Sequence, residues 1–127
     1  MLITVNGTEY ELSTKLGTGK KIESKFKVPL IQLFGKLSDA MSSELTDIIA
    51  IAAGKADDRE FIKAIDDNWD YSDLYNVVQE LVVRFQFTGS LEDIERKLGK
   101  YPANEETKNV IRGLLGIQLP THQAGER

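Results

Sequence analysis

Apolar positions recur along the chain with two different periods. At the N-terminus, Leu2-Ile3-Thr4-Val5 and Thr8-Glu9-Tyr10-Glu11-Leu12 are rich in strand formers and flank Asn6-Gly7. Asn-Gly accepts the positive φ angles of a tight type I′ turn, so residues 2–12 predict a β-hairpin. Alternation along a strand puts Ile3 and Val5 on the face opposite Leu2 and Thr4. A hairpin alone is marginal in water, so this one is expected to pack on helices.

Beyond the hairpin the period is helical. Ile22 and Phe26, four apart, predict a helix over residues 20–28. Ser13 or Thr14 can cap it, and Gly17 and Gly19 weaken its start. Pro29 cannot extend the ladder and opens a second helix, whose stripe is Leu30, Leu33, Phe34, Leu37 and Met41. Ser42 or Ser43 caps a third, with Leu45, Ile48, Ile49 and Ala52 inward and Gly54 as its stop. Asp57 or Asp58 opens a fourth, carrying Phe61, Ile62 and Ile65 toward Trp69. Asp70 opens the longest, with Leu74, Val77, Val78, Leu81, Val82 and Phe85 in register. Val83 and Phe87 widen that face, which predicts a central helix ending near Gly89. Ser90 with Asp93 has the form of a capping box for a helix to Leu98. Pro102 breaks the chain, and Asn104 caps a last helix carrying Val110, Ile111, Leu114 and Leu115 up to Gly116. The expectation is a mostly α (α+β) protein with an N-terminal hairpin and six or seven short helices. They form one domain over residues 1–119, followed by a polar, mobile tail over 120–127.

Composition narrows the chemistry. A chain of 127 residues suits one domain with its own core. There is no cysteine, which removes disulfides and thiolate metal sites. No run of about 18 apolar residues occurs, and the first residues lack the basic-then-apolar pattern of a signal peptide. A cytoplasmic protein is expected. The net charge of −4 argues against nucleic acid as the main partner. Charge is unevenly spread: residues 13–40 hold six lysines and two acids, +4, whereas residues 41–80 hold three bases and ten acids, −7. Such faces are ordinarily solvated, and they can also steer a partner.

No motif for catalysis survives inspection. Gly17-Thr18-Gly19-Lys20-Lys21 lacks the earlier glycine and the following Ser or Thr of a phosphate loop, and reads as a frayed helix start. The run from Asp66 to Ser72 imitates the start of a calcium loop. Tyr71 and Val77 stand where that loop needs its glycine and its bidentate glutamate, so the acids read as helix caps. His122, the single histidine, lies in the tail, where nothing would hold it as a general base. No catalytic, cofactor or metal residue is expected, and the chain reads as a binding protein rather than an enzyme. Trp69, Tyr71 and Tyr75 either staple two helices at a turn or anchor a partner.

The whole of residues 1–119 resembles the tail assembly chaperones of long-tailed bacteriophages, especially those of phages and prophages of Gram-positive bacteria. The resemblance rests on the Asn-Gly hairpin and the lysine-rich helix over 20–27. It continues through Val28-Pro29-Leu30-Ile31-Gln32-Leu33-Phe34, Trp69-Asp70-Tyr71-Ser72-Asp73-Leu74 and Val78-Gln79-Glu80-Leu81-Val82-Val83-Arg84-Phe85, and closes with Val110-Ile111-Arg112-Gly113-Leu114-Leu115-Gly116. It implies a viral morphogenesis factor that keeps the long, helical tape measure protein soluble in the host cytoplasm until tail tube subunits polymerise, and that is absent from the mature virion. Further partners in keeping with the resemblance are the major tail tube protein, a frameshifted longer form of the chain, or further copies of itself as a homo-oligomer. No nucleic acid, membrane or cofactor is implied. Leu30, Leu33, Phe34, Leu37, Trp69, Tyr71, Tyr75, Phe85 and Phe87 are the candidate partner-binding residues, on the wide apolar faces of the second and fifth helices and the turn before the latter. The rival expectations are a head–tail joining or tail completion subunit of the particle, and a small regulator that binds DNA through residues 15–27.

Overall fold

Asn6 and Gly7 both take positive φ, 50° and 81°, and so close a type I′ turn between β1 (Leu2–Val5) and β2 (Thr8–Glu11). The strands are antiparallel, with Ile3 opposite Tyr10 and Val5 opposite Thr8. Ile3 and Val5 are buried while Leu2 and Thr4 are exposed, the alternation that the pleat imposes. The Met1 amino group donates to Glu11 Oε2 at 2.7 Å and tethers the open end. The hairpin packs on a helix, as a two-stranded sheet requires: β1 contacts α4 (Arg59–Asn68), and the Tyr10 ring meets Phe61 edge-on at 4.8 Å. These elements belong to a computed structural model that describes residues 1–116. The described residues form two compact units, one spanning Met1–Gln86 and the other starting at Phe87. Residues 117–119 of the expected domain, the polar tail and His122 lie outside the described residues.

In the first unit, α1 runs Leu16–Phe26, four residues ahead of the expected start. Gly17 and Gly19 are therefore inside the helix rather than fraying it. The Ser13 hydroxyl accepts from Lys15 N and bonds Thr18 Oγ1 at 2.7 Å, which holds the first turn. Gly19 is buried, and a Cβ there would stand 2.9 Å from Leu30 Cδ1 and 3.2 Å from Phe85 Cγ. The glycine thus serves close packing of α1 on its neighbours. Lys27 leaves the helix in the left-handed region, and Glu23 Oε2 accepts from Leu30 N at 2.8 Å, capping α2 (Leu30–Lys36) across the Pro29 corner.

The expected stripe of α2 stops at Leu37. A single 3-10 turn, Leu37–Asp39, follows, and Met41 is 66% exposed outside the helix. Met41 instead caps α3 (Ser42–Ala52), with its N–H donating to Glu44 Oε1 at 2.8 Å. Gly54, at φ +71°, ends that helix in the left-handed conformation expected of it. Asp58 caps α4 by accepting from Glu60 N and Phe61 N. Asp70 and Asp73 each accept the other's backbone N–H at the start of α5 (Tyr71–Gln86). Within the run from Asp66 to Ser72 that imitates a calcium loop, Asp70 thus serves as a helix cap and Asp67 pairs with Lys63. α5 ends three residues before Gly89. It packs against α1, α2 and α3 and is the central helix of the unit. Leu33, Leu45, Ile48, Ile49, Ile65, Val78 and Leu81 are among the buried core around it.

In the second unit, α6 (Leu91–Gly99) is capped by Ser90 Oγ, which accepts from Asp93 N, and α7 (Glu105–Leu114) by Asn104, which accepts from Thr107 N. Arg112 reaches Glu95 with two hydrogen bonds, 2.7 and 3.1 Å, and ties α7 to α6. Glu95 raises the pKa of Arg112, so the cation persists at any working pH. Phe87, Ile94, Leu98 and Ile111 are buried, and the Phe87 ring lies 5.1 Å from Tyr101. Val110, one of the apolar positions read on this helix, is exposed. Arg96, then Ser90, hold the Asp93 carboxyl below the usual aspartate range. Its folded pKa is thus lower than its unfolded one, so the stabilisation is complete above about pH 4 and fades as pH falls through the lowered value. The protection of the α6 amides against hydrogen exchange, taken relative to the intrinsic rate at each pH, should fall on acidification in that window, and Asp93→Asn should remove the part of that fall due to Asp93.

Candidate functional site

The turn from α4 into α5 carries the aromatic residues singled out in the sequence. Trp69 closes α4, with its N–H donating to Ile65 O at 2.9 Å, and its indole is partly buried against the core. Tyr71 opens α5 and is 43% exposed. Its hydroxyl donates to Ala40 O at 2.9 Å, and its ring stacks on Tyr75 at 6.4 Å with the planes 21° apart. The aromatic turn is therefore a staple: it fastens the start of α5 to the segment that leads into α3. It is also a wall, because one side of Trp69 and Tyr71 stays open.

That open side is a cleft of about 540 Å³ bounded by α3, α4 and the beginning of α5. Ser42, Ser43, Thr46 and Asp47 line it from α3; Ile62, Ile65 and Asp66 line it from α4; Trp69, Asp70, Tyr71 and Leu74 complete it. A second hollow of about 510 Å³ also borders Trp69, and its lining of Thr4, Asn6, Asn68, Asp73, Asn76 and Val77 is mostly polar. The first cleft thus combines an indole, a phenol and aliphatic side chains with three carboxylates.

The carboxylates are unevenly committed. Asp70 accepts from Asp73 N. Asp47 and Asp66 make no hydrogen bond or ion pair among the described residues. Lys63, on α4, bonds Asp67 at 2.6 Å, and Asp67 first, with Asp66 adding a smaller pull, raises its pKa. Negative charge at the cleft is therefore left to water. No three His, Cys, Asp or Glu side chains gather as metal ligands among the described residues. No helix among them is long and apolar enough to cross a membrane.

The structure divides the nine expected binding residues. Leu30, Leu33, Leu37, Phe85 and Phe87 are buried and present no surface. The physical reason is visible for four of them: α2 lies against α5, so their two stripes cover each other. An open groove along those helices is thereby replaced by the cleft at the far end of α4. Phe34, Trp69 and Tyr75 are partly buried, and Tyr71 is exposed. Trp69 and Tyr71 share one site; Ser42, Ser43, Thr46, Asp47, Ile62 and Asp66 also line it and were not among the binding residues expected from sequence. The acids crowding Trp69 were the available signal, and they read first as caps. No family model matches the chain, and neither a curated protein nor a solved structure does.

Proposed function

We propose that this protein is a bacteriophage tail assembly chaperone, which binds the tape measure protein and keeps it soluble until the tail tube polymerises. One observation carries the site of that action: after the core of the first unit is filled, a cleft walled by Trp69 and Tyr71 remains open between three helices. A long helical client with an apolar stripe would aggregate through that stripe, and a cleft of this kind shields part of it. The half-exposed aromatic pair is suited to the task, since rigid rings supply contact area at little entropic cost. The resemblance carried by the hairpin, the aromatic turn and α5 supports the same reading. Binding then takes place in the host cytoplasm, and the chaperone leaves before the particle is complete.

Co-expression with a tape measure fragment tests this. The soluble fraction of the fragment should rise several-fold in the presence of the protein, and purified virions should lack it. An unchanged soluble fraction, or stoichiometric recovery from particles, would overturn the proposal; the second result would point to a joining or completion subunit.

A further inference from the structure

The cleft carries more information than an apolar hollow would, because its lining joins apolar and acidic side chains. Ile62, Trp69 and Tyr71 offer contact area, while Asp47, Asp66 and Asp70 add three carboxylates to the lining, and Lys63, the α4 cation that Asp66 attracts, is bonded to Asp67. The surrounding segment, residues 41–80, has ten acids against three bases, and two of those bases are engaged by Asp58 and Asp67. An acidic occupant would meet like charge from three carboxylates. A purely apolar one would strip water from the carboxylates without replacing it, which costs free energy. The occupant that both parts accept is apolar at its centre and cationic at its edges.

We propose that this cleft binds a helical protein segment that presents a bulky aliphatic side chain against Trp69 and Tyr71, with lysine or arginine about one turn to either side facing Asp47 and Asp66. One turn of helix spans about 5.4 Å, which sets the spacing of these cations from the central side chain. The inference deepens the chaperone reading, on which it rests: the recognised part of the client is a basic amphipathic stretch, and apolar periodicity alone is not enough. Rim charges chiefly set on-rate and choice of partner, so the preference should weaken as salt rises.

Trp69 is the only tryptophan in the chain, so its emission reports on the cleft directly. The test titrates the full-length protein with two synthetic helices of about 18 residues, five turns, free of Trp and Tyr. Both carry the same leucine stripe, flanked in one by lysine and in the other by glutamate. The lysine helix should shift Trp69 emission and bind at least about tenfold more tightly. The double variant Asp47→Lys/Asp66→Lys should invert that order; neither side chain caps a helix or pairs with a cation, and circular dichroism verifies that the fold is kept. Asp66→Lys alone, at an exposed position, should narrow the gap.

Equal affinity for the two helices, no binding of either, or an order unmoved by the charge reversals would overturn the inference. So would sedimentation showing a self-association that the double variant abolishes, since a second copy would then occupy the cleft. None of these results touches the co-expression outcome. A client made soluble without the charge preference refutes only the inference, and a client left insoluble refutes the chaperone reading.

Discussion

Phe61→Ala is expected to lower the unfolding free energy of the first unit by about 3–5 kcal/mol, the range for emptying a buried phenylalanine site. Phe61 is 2% exposed, and it is where α4 meets the hairpin: its ring takes the edge contact from Tyr10 and lies among the core residues that include Ile3 and Val5. A hairpin of two four-residue strands cannot hold itself together in water. Loss of this ring should therefore release the hairpin as well as open a cavity. Urea titration followed by Trp69 emission measures the first effect as a lower midpoint. Hydrogen exchange at the β1 and β2 amides measures the second, and these should exchange far sooner than those of α5. Tyr10→Leu keeps bulk but loses the edge-on geometry, and should cost only about 0.5–1.5 kcal/mol. If Phe61→Ala cost no more than that, the hairpin would have to be held by contacts other than this pair.

The same substitution made at two neighbouring glycines should act in opposite directions. Leucine is a better helix former than glycine by about 0.8 kcal/mol, so propensity favours both Gly17→Leu and Gly19→Leu. A side chain at Gly17 meets open space. That variant should be neutral to about 1 kcal/mol more stable, since the glycine lies in the first turn where propensity is partly expressed. At Gly19 the first carbon already falls at 2.9 Å from Leu30 Cδ1 and 3.3 Å from Phe85 Cβ, and the rest of a leucine has nowhere to go. Overpacking of this kind costs about 1–3 kcal/mol, and more where neither neighbour can retreat. Both neighbours here are buried in the same core. The pair of melts separates steric from conformational effects, because backbone entropy enters both variants alike. Equal shifts at the two sites would mean that α1 does not rest on α2 and α5 in the way described.

How far the chain could be read without its structure depended on how far each determining contact reaches along it. Asp58, Ser90 and Asn104 satisfy backbone N–H groups two or three residues ahead, and the Asn6-Gly7 turn needs only its own φ angles. Those elements were legible because cause and effect sit within one turn of chain. The first turn of α1 depends instead on Ser13 bonding Thr18, and the start of α2 on Glu23 seven residues back. Neither pattern has a periodic signature. Gly19 reads in sequence as a weak point, yet it is the place where two other helices come close.

The candidate site lies at the far end of that scale. Sequence alone determined that α2 and α5 carry wide apolar stripes and that Trp69 and Tyr71 stand at a turn among acids. Periodicity states that a stripe will be covered but not by what, and only packing decided that these two stripes cover each other and leave no groove. The cleft was decided by tertiary structure too. It joins Asp47 on α3 to Asp66 on α4, side chains nineteen residues apart that share a site because both helices lean on the same core. Hydrophobic burial is non-directional, so a sequence specifies how much apolar surface must leave water, and three-dimensional fit selects which part stays behind.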